Sequence, residues 1–153
     1  MTVDACPGDR ELTLAPLDEK VDHVRGSPAG HLIIEYGDYE CPYSRQAFHA
    51  IELVEQQLGG NVRFAFRHFP LTRIHPKKAL DHADLRGYAA QLRLDVAAFD
   101  RDRASRTVLE RIQRDVDSGL TSGQVLGTPT LFIDGVVLRG GYDPPTLLAA
   151  LAP

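Results

Sequence analysis

Cysteine is scarce in this chain: Cys6 and Cys41 are the only two in 153 residues. Two sulfurs cannot form a disulfide framework for a chain this long, and a sparse cysteine in a reducing compartment is more often reactive than structural. Excess positive charge is also missing. Seventeen Lys and Arg against twenty-one Asp and Glu give −4 with neutral histidines, which offers no support for a nucleic-acid partner. No apolar run approaches the ~20 residues of a spanning helix. Metal spacing is absent too. None of His23, His31, His49, His68, His75 and His82 stands in a His-x-x-x-His pair, and there is no Cys-x-x-Cys. No phosphate loop, internal repeat or low-complexity tract occurs. The segment from Met1 to Arg10 shows no basic stretch leading into an apolar one, so the expectation is a cytoplasmic protein, or an exported one whose leader has been trimmed.

What remains is an ordinary globular composition, 43% hydrophobic and 25% charged. At this length one domain buries ~70% of its unfolded surface. Residues 1–30 read as a lead-in, with Leu12, Leu14 and Leu17 hinting at a strand and Gly26-Ser27-Pro28-Ala29-Gly30 marking a turn. Residues 31–153 then carry the domain. Leu32 to Tyr36 reads as a strand covered on both faces. Ala47, Ile51, Val54 and Leu58 form one helical stripe, which Gly59-Gly60 ends. Val62, Phe64 and Phe66 alternate with Arg63, Ala65 and Arg67 as a second strand, and a strand–helix–strand unit makes the two parallel.

A helical insertion is expected at about 77–122, with Asp84 and Asp95 as caps and a stripe of Leu109, Ile112, Val116 and Leu120. Arg101, Arg103, Arg106, Arg111 and Arg114, interleaved with acids, read as a solvated face. Asp134-Gly135 between two apolar runs predicts a hairpin, and Asp143 before Pro144-Pro145 predicts the start of a last helix.

The chemistry concentrates at Cys41-Pro42-Tyr43-Ser44, where a strand gives way to a helix. A cysteine there meets the unpaired N–H groups and the positive dipole end of the helix, both of which favour the nucleophilic thiolate. Pro42 suits the first helical position. In a two-cysteine redox helix the second sulfur stands three residues after the first, and here that place holds Ser44. Its hydroxyl either contacts the Cys41 sulfur or is a solvated first-turn serine. One sulfur can take a mixed disulfide, but release then needs an outside thiol such as glutathione, or a distant one such as Cys6, unless Cys6 is incidental. Glu35, six residues before Cys41, is either a buried proton shuttle or a strand-end carboxylate that reaches water.

Three segments in order resemble the DsbA-like branch of the thioredoxin fold: Glu35-Tyr36-Gly37-Asp38-Tyr39-Glu40-Cys41-Pro42-Tyr43, Arg67-His68-Phe69-Pro70-Leu71, and Gly127-Thr128-Pro129-Thr130-Leu131-Phe132-Ile133-Asp134-Gly135. The likeness covers roughly residues 20–153. It implies an α/β fold with a central mixed sheet of about four strands, Cys41 as nucleophile, and Pro129 as a cis-proline facing it. It further implies that the Thr128 backbone pairs with an extended substrate. His68 matches the family's segment after the second strand. Two departures stand out: Ser44 at the second cysteine, and a short passage from Pro76 to Asp84, as though one inserted helix were lost.

The reading is therefore a monothiol thiol–disulfide oxidoreductase acting on protein or small-molecule thiols, with no bound cofactor and glutathione as co-substrate. A non-catalytic binding or chaperone-like module is the alternative, as is a two-cysteine enzyme whose second cysteine was replaced by Ser44 to trap substrate. Peroxide sensing at Cys41 is weaker, for want of a nearby resolving cysteine.

Overall fold

A computed structural model describes residues 14–71, 74 and 81–152; Cys6, His75, Leu12 and Pro76 lie outside them. Ten elements follow one another: β1 (His23–Gly26), β2 (His31–Gly37), α1 (Pro42–Leu58), β3 (Val62–His68), α2 (His82–Gln91), α3 (Val96–Arg103), α4 (Arg106–Thr121), β4 (Thr130–Ile133), β5 (Val136–Val137) and α5 (Pro144–Ala150). They build a five-stranded mixed sheet in the order β1-β3-β2-β4-β5. β2 and β3 run parallel, as the α1 crossover requires, while β1, β4 and β5 are antiparallel to their neighbours.

Each sheet face has its own core. Ile33, Phe64, Leu131 and Ile133 meet Ile51 and Val54 of α1 and Leu147 of α5 on one face. Ile34, Tyr36, Ala65, Phe132 and Phe69 build the other, against which Val116 of α4 packs. The α1 stripe lies where its period places it: Ala47, Ile51 and Val54 are buried, and Gly59 closes the helix in the left-handed region at φ 56°. Asp134 (φ 49°) and Gly135 (φ 85°) make the hairpin turn.

The lead-in departs from expectation. Residues 14–17 form no strand, and β1, which the sequence did not disclose, extends the expected four strands to five. Its described residues Ala15, Pro16 and Asp22 are tied to the sheet. Arg67, with none of its surface exposed, clasps Asp22 through two hydrogen bonds of 3.1 and 3.0 Å. It also donates to the carbonyls of Ala15 and Pro16 and to the Tyr36 hydroxyl. Burial works to raise the Asp22 carboxyl, but the bonds from Arg67, the Asp18 amide and Arg114 prevail and hold it below the usual carboxylate range.

The insertion corrects three further readings. Asp81, not Asp84, caps α2, accepting from the Asp84 amide. The α4 stripe is rotated: Leu109 and Leu120 are exposed, while Asp115 and Gly119 are buried. A Cβ on Gly119 would lie 2.9 Å from the Phe69 ring, so the glycine lets α4 approach the sheet. Arg111 and Arg114 are not on a solvated face; Arg114 bonds Asp22 and Asp115, and Arg111 donates to the Phe66 carbonyl.

Candidate active site

The site begins at the end of β2, where Asp38 organises the turn into α1. Its carboxylate accepts the amides of Glu40 and Leu71, each at 2.9 Å, and its backbone carbonyl accepts the Cys41 amide. Its own amide donates to Ser44 Oγ at 3.2 Å. Sequence reasoning passed over Asp38, although an aspartate opening a turn before a helix is a recognisable side-chain turn. Cys41 is the N-cap of α1 with extended backbone and no side-chain capping bond, and Pro42 takes the first helical position. The first helical bond runs from the Arg45 amide to the Cys41 carbonyl.

Cys41 is the only cysteine among the described residues and keeps 3% of its surface exposed. Its thiol donates to the Thr128 carbonyl at 3.3 Å. Ionisation gives that bond up, since a thiolate has no proton to offer. The Thr128–Pro129 peptide is cis. The structure thus brings together Cys41-Pro42 and Thr128-Pro129, two segments 87 residues apart in sequence. Ser44 stands one turn on, 4% exposed, with its hydroxyl engaged by the Asp38 amide rather than exposed to solvent. Tyr43 is exposed in the first turn of α1. Tyr142, ahead of α5, joins the group: burial, then Tyr43 and Cys41 nearby, pushes its phenol up. No sequence motif pointed to it, because the loop after β5 meets α1 only in the fold.

Glu35 does not reach water. It is fully buried in β2, and neither carboxylate oxygen has a hydrogen-bond partner among the described residues. Burial pushes its carboxyl up to about 8, against a weaker downward pull from Arg25. Gly37 makes room for it: a Cβ there would lie 2.9 Å from Glu35 Oε1 and 2.5 Å from the Phe66 ring. His68 sits edge-on to Tyr39 and Phe66, 5.4 Å from each ring, and burial, helped by Arg111 and His23, pushes it down to about 4. It is neutral at pH 7. No cluster of His, Cys, Asp and Glu that could hold a metal occurs among the described residues.

A strand-to-helix cysteine facing a cis-proline loop across a mixed five-stranded sheet is the plan of the thioredoxin fold, in its DsbA-like form. Residues 32–80 match the family model of the DSBA-like thioredoxin domain, and the chain has a thioredoxin-like α/β fold. A thioredoxin-like oxidoreductase from Silicibacter pomeroyi superposes with a TM-score of 0.70 at 21% identity, over 94% of this chain and 95% of its own. Wolbachia pipientis alpha-DsbA1 gives 0.71 at 21%, over 90% and 92%. Among curated proteins, the Na(+)/H(+) antiporter NhaA of Herminiimonas arsenicoxydans is 34% identical over 165 aligned residues, covering 89% of this chain. The chain spans only 26% of that antiporter's length. Among the described residues, no helix is long and apolar enough to cross a membrane.

Proposed function

We propose that this protein is a thiol–disulfide oxidoreductase that works through Cys41 alone. The observation that carries this reading is the Cys41 sulfur at the start of α1, 3.3 Å from the carbonyl that precedes cis Pro129. An extended substrate pairs with the Thr128 backbone as an added strand, which sets its disulfide in line with Cys41. The Cys41 thiolate attacks one substrate sulfur; a Cys41–substrate bond forms and the other sulfur leaves. Glu35, protonated at pH 7, supplies a proton toward that leaving thiolate. Ser44 cannot form the second disulfide, so an outside thiol such as glutathione completes the cycle.

Turnover of a glutathionylated peptide with reduced glutathione tests this. The unaltered chain turns it over and Cys41→Ser does not; equal rates in the two would refute the role of Cys41. Sodium–proton exchange is not proposed for this chain, because the match covers a quarter of the antiporters. That same match favours a second reading, in which the domain is a binding module. Partner capture that survives Cys41→Ala, with no turnover in the unaltered chain, would establish it.

A further inference from the structure

The register of the outer strands places four side chains on the α1 face of the sheet. His23 opposes Phe66 and Arg25 opposes Phe64 across the antiparallel β1–β3 pair, and opposed residues share a face. With Ser44, Arg45 and Phe48 of α1 they line a cavity of about 510 Å³. Cys41 is not in its wall; that thiol faces the Thr128 carbonyl, ahead of β4 on the other side of β2. The exchange chemistry leaves this cavity unused.

The wall is aromatic and already assembled. Phe48 and Phe64 meet edge to face at 6.0 Å, and Tyr39 stacks on Phe66 at 5.1 Å with the rings 1° from parallel. Small-molecule sites have this volume and this mixture of apolar wall and few polar groups. Its charges balance. Arg25 and Arg45 are matched in number by Asp38 and by Glu55, which holds Arg25 through two hydrogen bonds. Asp38 is engaged by the amides of Glu40 and Leu71. His49 pairs with Glu52, and burial, then Arg111, pull His23 below its ordinary value, so neither adds an unmatched charge at pH 7. An ion entering such a wall would shed its water without gaining a counter-charge. Ser44, 4% exposed, accepts the Asp38 amide through its oxygen, which leaves its proton to give.

We propose that this cavity binds an uncharged, planar aromatic small molecule carrying one hydroxyl or carbonyl oxygen, which accepts the Ser44 proton. The ring walls select the planar aromatic body, the balanced charges select a neutral ligand, and the buried Ser44 hydroxyl selects the oxygen. The site is independent of the exchange reaction, because the sulfur does not line it.

The test titrates the full chain at pH 7 with 2-naphthol and with 2-naphthoate, which share a ring system and differ in charge, and locates the bound ring by nuclear Overhauser contacts. 2-Naphthol should saturate one site about 10-fold more tightly than 2-naphthoate, with contacts to the Phe48 and Phe66 rings. His23→Trp and Arg45→Trp place bulk on opposite sides of the cavity. Each should weaken 2-naphthol about 10-fold, with thermal melting showing that both variants fold. Equal or tighter binding of 2-naphthoate overturns the neutral-ligand assignment. No saturable binding of 2-naphthol, contacts to the exposed Leu109 and Leu120 of α4 instead, or binding that either folded variant leaves intact overturns the cavity assignment.

Discussion

Cys41 and Ser44 differ by one atom type at their reacting ends, and that difference sets the chemistry. Sulfur can form and break a disulfide; the Ser44 oxygen cannot, and it is already engaged by the Asp38 amide. If release needs an outside thiol, as proposed, Ser44→Cys should release substrate unaided. Quenched-flow trapping of the mixed disulfide checks this, and a persistent adduct in Ser44→Cys contradicts it. The site was legible at this scale wherever chemistry sits in a local motif: Cys41, Pro42 and Ser44 follow from four adjacent residues. Glu35 was ambiguous, because a carboxylate in an apolar strand is compatible with burial or with a strand end. Only the sheet, with Gly37 and Phe66 around it, decides for burial. Tyr142 was illegible, since its proximity to the sulfur is made by the fold.

Two contacts between elements carry distinct mechanical roles. Arg67 of β3 binds the lead-in to the sheet through a buried pair with Asp22. Removing one partner of a buried pair leaves the other charge stranded, so Arg67→Ala should cost about 3–5 kcal/mol in urea unfolding. Arg25→Ala, which breaks the partly exposed pair with Glu55, should cost about 1 kcal/mol or less. Equal losses would contradict this account. Gly119 sets the approach of α4, and Gly119→Val should cost about 1–3 kcal/mol through overpacking against Phe69; calorimetry reads the shift.

Elements with a clean period, β2, α1 and β3, were legible from the sequence. β1 was not, because only four residues of mixed polarity, HVRG, form it at a sheet edge. The α4 stripe misled because burial of Asp115 and Gly119 rotates the helix away from its apolar pattern. Asp115 accepts the His68 amide, a long-range bond that periodicity cannot show.

Across the whole molecule, the buried Glu35 and the half-buried His68 give stability opposite slopes with pH. His68 falls from its ordinary 6.5 to about 4 in the fold, so the unfolded chain binds more protons between those values and stability rises with pH there. Glu35 rises from 4.5 to about 8, so the folded chain binds more and stability falls over that interval. The slopes oppose one another between 4.5 and 6.5, leaving a decline toward about 8. Glu35→Gln should abolish that decline and raise the melting temperature most near pH 8. A decline that persists in Glu35→Gln would place its origin elsewhere.

The central claim is that one sulfur, at the start of α1, performs the exchange. Intact-protein and peptide mass spectrometry after oxidised glutathione tests it most directly. The account predicts a single glutathione adduct on the Cys41 peptide, absent in Cys41→Ser and removed by reduced glutathione. An unmodified Cys41, or an adduct carried by Cys6 alone, would contradict it.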